Sequence, residues 1–249
     1  MEVLLGFAIA VLIGLTGVGG GVITAPVLTL FLGIPPVESV GTALLFTAVV
    51  KFVAAPVYIL RRQVNFRILG LLLLGGLPGV IAGSFFLTRM SVADRKGPLY
   101  ALLGGIIIVM ALINLYRLFV PQRGEPGRER LRWLSLLAFP IGAEVGFSSA
   151  GAGALGSLAL MSFTAISTGQ VVGTDMLFGL GLSLAGGGIS LRTGNYQGVL
   201  AMKLAAGGLI GAFVGASLLS RLPSRPLRIA LSLWLAAMGS QLCWRAIGA

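Results

Sequence analysis

The sequence repeats itself in a way that constrains the whole fold. When the chain is laid on itself with a shift of 132 residues and no gap, eight glycines fall on eight other glycines. About two or three such matches are expected by chance for a chain with 38 glycines among 249 residues. The pairs are Gly14/Gly146, Gly19/Gly151, Gly21/Gly153, Gly41/Gly173, Gly75/Gly207, Gly76/Gly208, Gly79/Gly211 and Gly83/Gly215. We therefore predict two repeats, residues 1–118 and 133–249, joined by a basic linker at 119–132.

The composition places both repeats in a lipid bilayer. Hydrophobic residues make up 57% of the chain and charged residues 10%, with a mean hydropathy of +1.01, which exceeds what soluble domains carry. Most of the net charge of +11 lies in loops between apolar stretches, which is typical of helix orientation and contact with anionic lipids and not of nucleic-acid binding. The chain has no histidine and one cysteine, so we expect no metal and no cofactor.

Two apolar stretches at equivalent positions of the repeats are too long for one span. Residues 3–34 would form a helix of about 48 Å against a hydrocarbon core of roughly 30 Å. A glycine cluster at 17–21 followed by Pro26 interrupts this stretch, and the small residues at 148–153 interrupt its mate at 133–163. Six further spans are predicted at residues 40–60, 68–88, 99–118, 171–191, 198–219 and 227–247. The predicted fold is an all-α integral membrane protein with two tandem repeats of about four helical segments, the first of each broken or re-entrant.

Whether the broken stretches cross the bilayer or dip in and return decides the symmetry of the repeats. Four crossings per repeat give parallel halves, and three give inverted halves. If the stretches return, the loops on one face hold 11 Lys and Arg against 5 on the other; if they cross, the numbers are 10 and 6. The larger asymmetry and the excess length of both stretches favour inverted repeats, with the linker in the cytoplasm and both termini outside.

Lys51 is the most informative charged residue. It lies in the middle of the span at 40–60, beyond the reach of a lysine side chain to either interface. A lysine at that depth normally faces the interior of the helix bundle and pairs with an acid or with an anionic substrate. The alternatives are a purely structural ion pair and a helix boundary that differs from the predicted one.

Two acidic residues interrupt other apolar segments. Asp175 follows Gly173 and Thr174 near the start of its predicted helix, and Glu144 precedes the second break. Either could pair with Lys51 or exchange protons during transport. The alternatives are capping of a helix N-terminus for Asp175 and a position near the membrane interface for Glu144.

The two breaks are the strongest local signal for a binding site. A helix that begins near the middle of the membrane presents free backbone amides and the positive end of its dipole, and glycine lets a ligand approach the backbone. We predict two facing anion cradles, with packing of simple hairpin tips as the alternative. The cradle residues are Gly19, Gly20 and Gly21 in the first break and Ser148, Ser149, Gly151 and Gly153 in the second, with hydroxyl groups added by Thr42 and Thr174.

Three runs of this sequence resemble the TauE/SafE family of sulfite and organosulfonate exporters: GLTGVGGGVITAPVL at 14–28, VGT at 40–42 and GGLPGVIAG at 75–83. The resemblance covers nearly the whole chain and implies a multi-pass carrier of the bacterial or archaeal inner (plasma) membrane for small sulfur-containing anions. The matching positions are Gly19, Gly20, Gly21, Pro26 and Thr42 in the first repeat and Gly151, Gly153, Gly173 and Thr174 in the second. The second repeat departs from the motif, because Ala152 replaces a glycine and Leu158 stands at the position equivalent to Pro26.

These observations favour a secondary transporter that moves sulfite or sulfoacetate by alternating access. A gated anion channel, a carrier of another carboxylate or sulfonate, and a membrane scaffold without transport activity remain alternatives. The sequence contains no ATP-binding motif, so the transport is expected to be driven by gradients. An enzyme is not expected, because no nucleophile is paired with a base in a recognisable motif. The expected partners are a small anion and lipids, with a homodimer left open.

Overall fold

The computed structural model describes residues 1–16, 20–92, 96–119, 131–150, 153–218 and 224–247. All regular structure in these ranges is helical, as predicted. The helices are α1 (Glu2–Thr16), α2 (Gly20–Phe31), α3 (Pro36–Leu60), α4 (Phe66–Val92), α5 (Lys96–Phe119), α6 (Leu131–Ser148), α7 (Ala154–Phe163), α8 (Thr168–Thr193), α9 (Gly198–Leu218) and α10 (Ser224–Ile247).

The predicted helical segments correspond to helices with slightly different bounds. Each of the two long apolar stretches forms two helices, α1 with α2 and α6 with α7, and each of the six predicted spans is one helix. The largest shifts are of four residues, at the end of α4 and at the start of α3. Helix α3 begins earlier than predicted because Pro36 is favourable in a first helical turn, where no amide donor is needed. In the part of the chain that the structure describes, α3, α4, α5 and α8 are long and apolar enough to cross a membrane.

Helix pairs repeat when the two halves are exchanged. The first helix of each half packs against the fourth helix of the other half, giving the pairs α1 with α9 and α6 with α4. The pairs α3 with α8 and α5 with α10 join helices that are equivalent in the two halves. This pattern of packing is what a duplicated chain predicts.

Equivalent helices run in opposite directions. Gly41 near the start of α3 contacts Ser190 near the end of α8, whereas Gly173 near the start of α8 contacts Gln63 just after α3. In the same way Cys243 near the end of α10 lies against Ala101 near the start of α5. Both pairs of equivalent helices are therefore antiparallel.

The first broken stretch begins and ends on one side of the bundle. Glu2 of α1 forms an ion pair with Lys203 of α9, which places the start of α1 beside the start of α9. The end of α2 lies beside the start of α3, where Ser39 donates a hydrogen bond to the Ile34 carbonyl oxygen. The start of α3 in turn contacts Gln197, which directly precedes α9. The starts of α1, α3 and α9 and the end of α2 thus share one side.

Glycines allow the backbones of crossing helices to touch. Gly75, Gly79 and Gly83 of α4 lie against the backbone of α6, and Gly207 and Gly211 of α9 lie against the backbone of α1. In addition, the fully buried ring of Phe46 packs on Gly208, and that of its repeat mate Phe178 packs on Gly76. Such contacts are typical of glycines spaced four residues apart on a membrane helix, since small residues permit close helix contact.

Candidate functional site

The two breaks meet inside the bundle. Gly21, in the first turn of α2, lies directly against Ser149, which follows the end of α6. A side chain at position 21 would overlap the Ser149 carbonyl oxygen and Oγ, so this close approach requires glycine. The backbone amides of a first helical turn have no partner within their own helix, so this end of α2 is the end that attracts an anion.

Ser149 adopts a conformation that few side chains tolerate. Its φ is 65°, in the left-handed region, and its amide donates to the Val145 carbonyl oxygen at 2.8 Å as the chain leaves α6. Ser149 is 5% exposed, and its Oγ has no hydrogen-bond partner among the described residues. A buried hydroxyl with an unused donor beside a helix N-terminus is a suitable group to bind an anion.

Ser148 is engaged in a local network. Its Oγ donates a hydrogen bond to Glu144 Oε1 at 2.5 Å and accepts one from the Ala150 amide at 3.2 Å. Glu144 lies one turn before the end of α6, at the break. It also lines a cavity of about 380 Å³, whose other lining residues are Ala101, Leu102, Gly105, Ile106, Val109 and Met110 of α5.

Lys51 is buried in α3. It is 6% exposed and lies nine residues before the end of the helix, about 14 Å along its axis. The alternative of a different helix boundary is therefore wrong. The Lys51 ammonium lies within electrostatic range of the Asp175 carboxylate on α8, so the structure brings these two predicted residues together.

Asp175 is not a helix cap, and this alternative to a functional role is wrong. The N-cap of α8 is Ser167, whose side chain accepts from the Gln170 amide while Gln170 reaches back to the Ser167 amide in a capping box. Asp175 follows eight residues later and is 7% exposed. Its Oδ2 lies 2.9 Å from Ser157 Oγ, and Ser157 in turn contacts Gly153, the N-cap of α7. Lys51 is thereby connected to the second break through Asp175 and Ser157.

Thr42 and Thr174 hold the two halves together. Thr42 Oγ1 accepts a hydrogen bond from the Gln197 amide at 2.9 Å, and Thr174 Oγ1 accepts one from the Asn65 amide at 3.0 Å. Gln197 and Asn65 lie in equivalent loops, so the same junction occurs twice, each time between a helix of one half and a loop of the other. The described contacts of both threonines belong to these junctions and not to the breaks.

Replacing Thr42 or Thr174 by valine is expected to lower the free energy of unfolding by about 1–3 kcal/mol, because a buried backbone amide loses its acceptor. Affinity for a bound anion should stay within about threefold of that of the unchanged protein, a free-energy change below 1 kcal/mol. Thermal unfolding of the purified variants, with and without sulfite, measures both quantities. Threonine-to-serine variants keep the oxygen and serve as controls. A large loss of anion affinity without loss of stability would return these threonines to the binding site.

Some predicted site residues lie outside the described residues, and some residues that contact the site were not predicted from the sequence. Gly19 and Gly151 lie outside the described ranges, and of Gly20 only its position as the first residue of α2 is described. The repeat gives no indication of Ser157, because the equivalent residue in the first repeat is Ala25. Its spacing of four residues from Gly153 could have indicated a contact between the two, but not the contact with Asp175. Asn65 and Gln197 are 132 residues apart, so a search of equivalent polar residues could have found them.

Comparison with known proteins agrees with this architecture. Residues 3–242 match the profile described as "Sulfite exporter TauE/SafE". The chain is 28% identical to the "Probable membrane transporter protein YjnA" of Bacillus subtilis over 92% of this chain and 94% of that protein. It is 28% identical to YdhB, a second protein of B. subtilis with the same description, over 95% and 97% of the two chains.

A third relative, a "Probable membrane transporter protein" of Haemophilus influenzae, is 31% identical over 80% of this chain and 77% of its own length. No solved structure matches the chain. The described helices, the repeated packing and these relatives indicate a multi-pass membrane transporter and not an enzyme. The chain belongs to the TauE/SafE sulfite exporter family.

Proposed function

We propose that this transporter carries small sulfur-containing anions such as sulfite or sulfoacetate across the inner (plasma) membrane, with export as the favoured direction. The anion would lie where the two breaks meet, held by the first turn of α2, the Ser149 hydroxyl and the second break before α7. The buried Lys51 ammonium would supply the positive charge. The proposed site residues among those described are Gly20, Gly21, Ser148, Ser149 and Gly153; the sequence also indicates Gly19 and Gly151, which lie outside the described residues.

The contact between Gly21 and Ser149 is the observation that carries the proposal. It joins the N-terminal end of one half-helix to the break of the other half, far apart in sequence. Amides at a helix N-terminus, a buried hydroxyl with an unused donor and a lysine within the bundle all favour negative charge. Small oxyanions fit such a site because several donors can surround them at once.

We propose further that the two halves are inverted repeats, residues 1–118 and 133–249, and that the linker at 119–132 is cytoplasmic. The antiparallel packing of equivalent helices supports this arrangement. The start of α1 and the end of α2 lie on the same side of the bundle, which supports a broken stretch that enters the membrane and returns. Inverted repeats with a site between them are the usual basis of alternating access.

Asp175 and Glu144 are the proposed coupling or ion-pair residues. Asp175 of one half lies within electrostatic range of Lys51 of the other, and Glu144 is bonded to Ser148 beside the second break. A carboxylate at such a position can offset the lysine charge when the anion is absent. Lipids are the other expected partners, and a homodimer remains one possible assembly.

Counterflow tests transport of a sulfur oxyanion directly. Proteoliposomes loaded with unlabelled sulfite are expected to take up external radiolabelled sulfite transiently above its equilibrium level, because a carrier exchanges ligand at both faces. The same experiment is run with sulfoacetate, phosphate and acetate. A gated channel predicts equilibration without overshoot and a measurable conductance. Absence of flux for both sulfite and sulfoacetate, in protein shown to be folded, would contradict the proposed function.

A further inference from the structure

The Ser157 hydroxyl lies within hydrogen-bond distance of two oxygen atoms. Its Oγ is 2.9 Å from Asp175 Oδ2 and 2.5 Å from the Gly153 carbonyl oxygen. A hydroxyl group has one hydrogen, so at any moment it can donate to only one of these oxygens. The carbonyl oxygen can only accept, whereas Asp175 can donate if it is protonated.

Asp175, Ser157 and the Gly153 carbonyl group form a triad that can hold its hydrogens in two arrangements. If Asp175 is ionised, Ser157 donates to the carboxylate, and no hydrogen lies between Ser157 and the Gly153 oxygen. If Asp175 is protonated, it donates to Ser157, and Ser157 donates to Gly153, so each close contact contains one hydrogen. Ser157 Oγ is within reach of both oxygens, so protonation of Asp175 moves the Ser157 hydrogen from the carboxylate to the Gly153 carbonyl oxygen.

Lys51 is the charged group that acts on this triad. Helix α8, which carries Asp175, packs against α3, α4, α6 and α7. Arg67 of α4 is exposed, and Arg89 of the same helix stacks on the Phe85 ring. Helix α7 has no charged residue. Glu38 of α3 is bonded to Gln197, and Arg192 is exposed in the last turn of α8, far along the helix from Asp175. The charged side chains that remain on these helices within the described bundle are Lys51 of α3 and Glu144 of α6, and Glu144 is bonded to Ser148.

We propose that Asp175 is the proton site that couples the anion to a proton moving in the same direction. With Asp175 ionised, its charge neutralises Lys51, and the site between the breaks has no net positive charge to offer an anion. With Asp175 protonated, the Lys51 charge is free to bind the anion, and the Ser157 hydroxyl turns to Gly153 at the start of α7. The anion and the proton are therefore bound together and released together. A dianion with one proton still carries a net negative charge, so an inside-negative membrane potential drives the pair outward, in the direction of export. This inference rests on the proposed anion transport.

The wild-type protein is tested first, in proteoliposomes whose membrane potential is clamped at zero with potassium and valinomycin. The probe is sulfoacetate, because both of its acidic groups stay ionised near neutral pH and cannot themselves carry the proton. An outside-acidic pH gradient is expected to drive its accumulation. A pH-sensitive dye inside the vesicles should report acidification that requires sulfoacetate.

Asp175→Asn separates exchange from coupling. The amide keeps the shape of the carboxylic acid and can still donate to Ser157, but it cannot gain or lose a proton. Exchange of internal for external sulfoacetate should stay within about threefold of wild type, whereas accumulation driven by the pH gradient should fall about tenfold or more. Ser157→Ala should weaken the coupling while keeping exchange. Glu2→Gln, which removes a carboxylate at the bundle surface, should behave as wild type.

The outcomes distinguish the two proposals. Absence of exchange in the wild-type protein, with sulfite as well as sulfoacetate, contradicts anion transport itself. Exchange that is insensitive to the pH gradient, or accumulation by Asp175→Asn at the wild-type level, overturns proton coupling and leaves anion transport intact. If Asp175→Asn does not fold, the dye measurement decides, since transport of sulfoacetate without acidification excludes the coupled proton.

Discussion

Replacement of Lys51 by methionine is expected to reduce sulfite and sulfoacetate flux by about 100-fold or more, which corresponds to roughly 2.7 kcal/mol of lost stabilisation. The ammonium is buried at 6% exposure and lies within electrostatic range of Asp175, so its loss leaves a buried carboxylate without a counter-charge. That carboxylate would then repel the anion. Methionine keeps the length and volume of the side chain, so the change is mainly one of charge. Initial rates of radiolabelled anion uptake in proteoliposomes measure the effect.

A double variant separates the role of Lys51 in binding from its role in folding. Removing one partner of a buried charge pair destabilises proteins by about 3–5 kcal/mol, and this loss could by itself abolish flux. Lys51→Met combined with Asp175→Asn removes both charges and should recover most of the stability without recovering flux. Lys51→Arg keeps the charge in a planar group and should retain partial activity. Wild-type flux in the folded double variant would exclude Lys51 from the site.

Replacement of Gly21 by alanine is expected to reduce flux by about tenfold or more, because one added methyl group forces the two breaks apart, with a stability loss of about 1–3 kcal/mol. The new Cβ would overlap the carbonyl oxygen and Oγ of Ser149. The donors on the two sides of the site would then no longer converge on one small anion. Uptake rates and thermal unfolding of the same preparation measure flux and stability separately.

Gly70→Ala is the matched control for this substitution. Gly70 lies in α4, and a Cβ there would meet no other atom within 4 Å. The variant should keep wild-type flux, and its stability should be unchanged or slightly higher, because alanine favours a helix more than glycine does. Equal flux in Gly21→Ala and Gly70→Ala would show that the approach of the two breaks is not needed for transport.

The arrangement of helices was largely predictable because it follows from length, hydropathy and repetition. An apolar stretch longer than the membrane has to be interrupted, and glycine and proline mark where. The repeat also makes contacts come in equivalent pairs, so that one contact between the halves predicts a second. Phe46 with Gly208 and Phe178 with Gly76 are equivalent contacts, each between the two halves. The helix arrangement and these contacts depend on where small and large residues recur along the chain, and a single sequence shows that recurrence.

The details of the site were less predictable because they depend on contacts between distant segments. The sequence predicts Thr42 and Thr174 as donors to an anion; it does not predict that each also accepts an amide from a loop of the opposite half. Asp175 was placed near a helix start, whereas the capping box at Ser167 begins α8 two turns earlier. The bridge through Ser157 could not be read from the sequence, since its residues come from two helices whose packing has no local signal.

A density map of the protein with bound sulfite tests directly whether the two breaks form one anion site beside Lys51. The sulfite concentration is set to saturate binding measured on the same preparation, and Lys51→Met under the same conditions is the comparison. Density for one anion is expected between the first turn of α2 and Ser149, within reach of the Lys51 ammonium, and it should be lost in Lys51→Met. Saturating binding with the anion at another location, and this region empty, would show that the two breaks do not form the anion site.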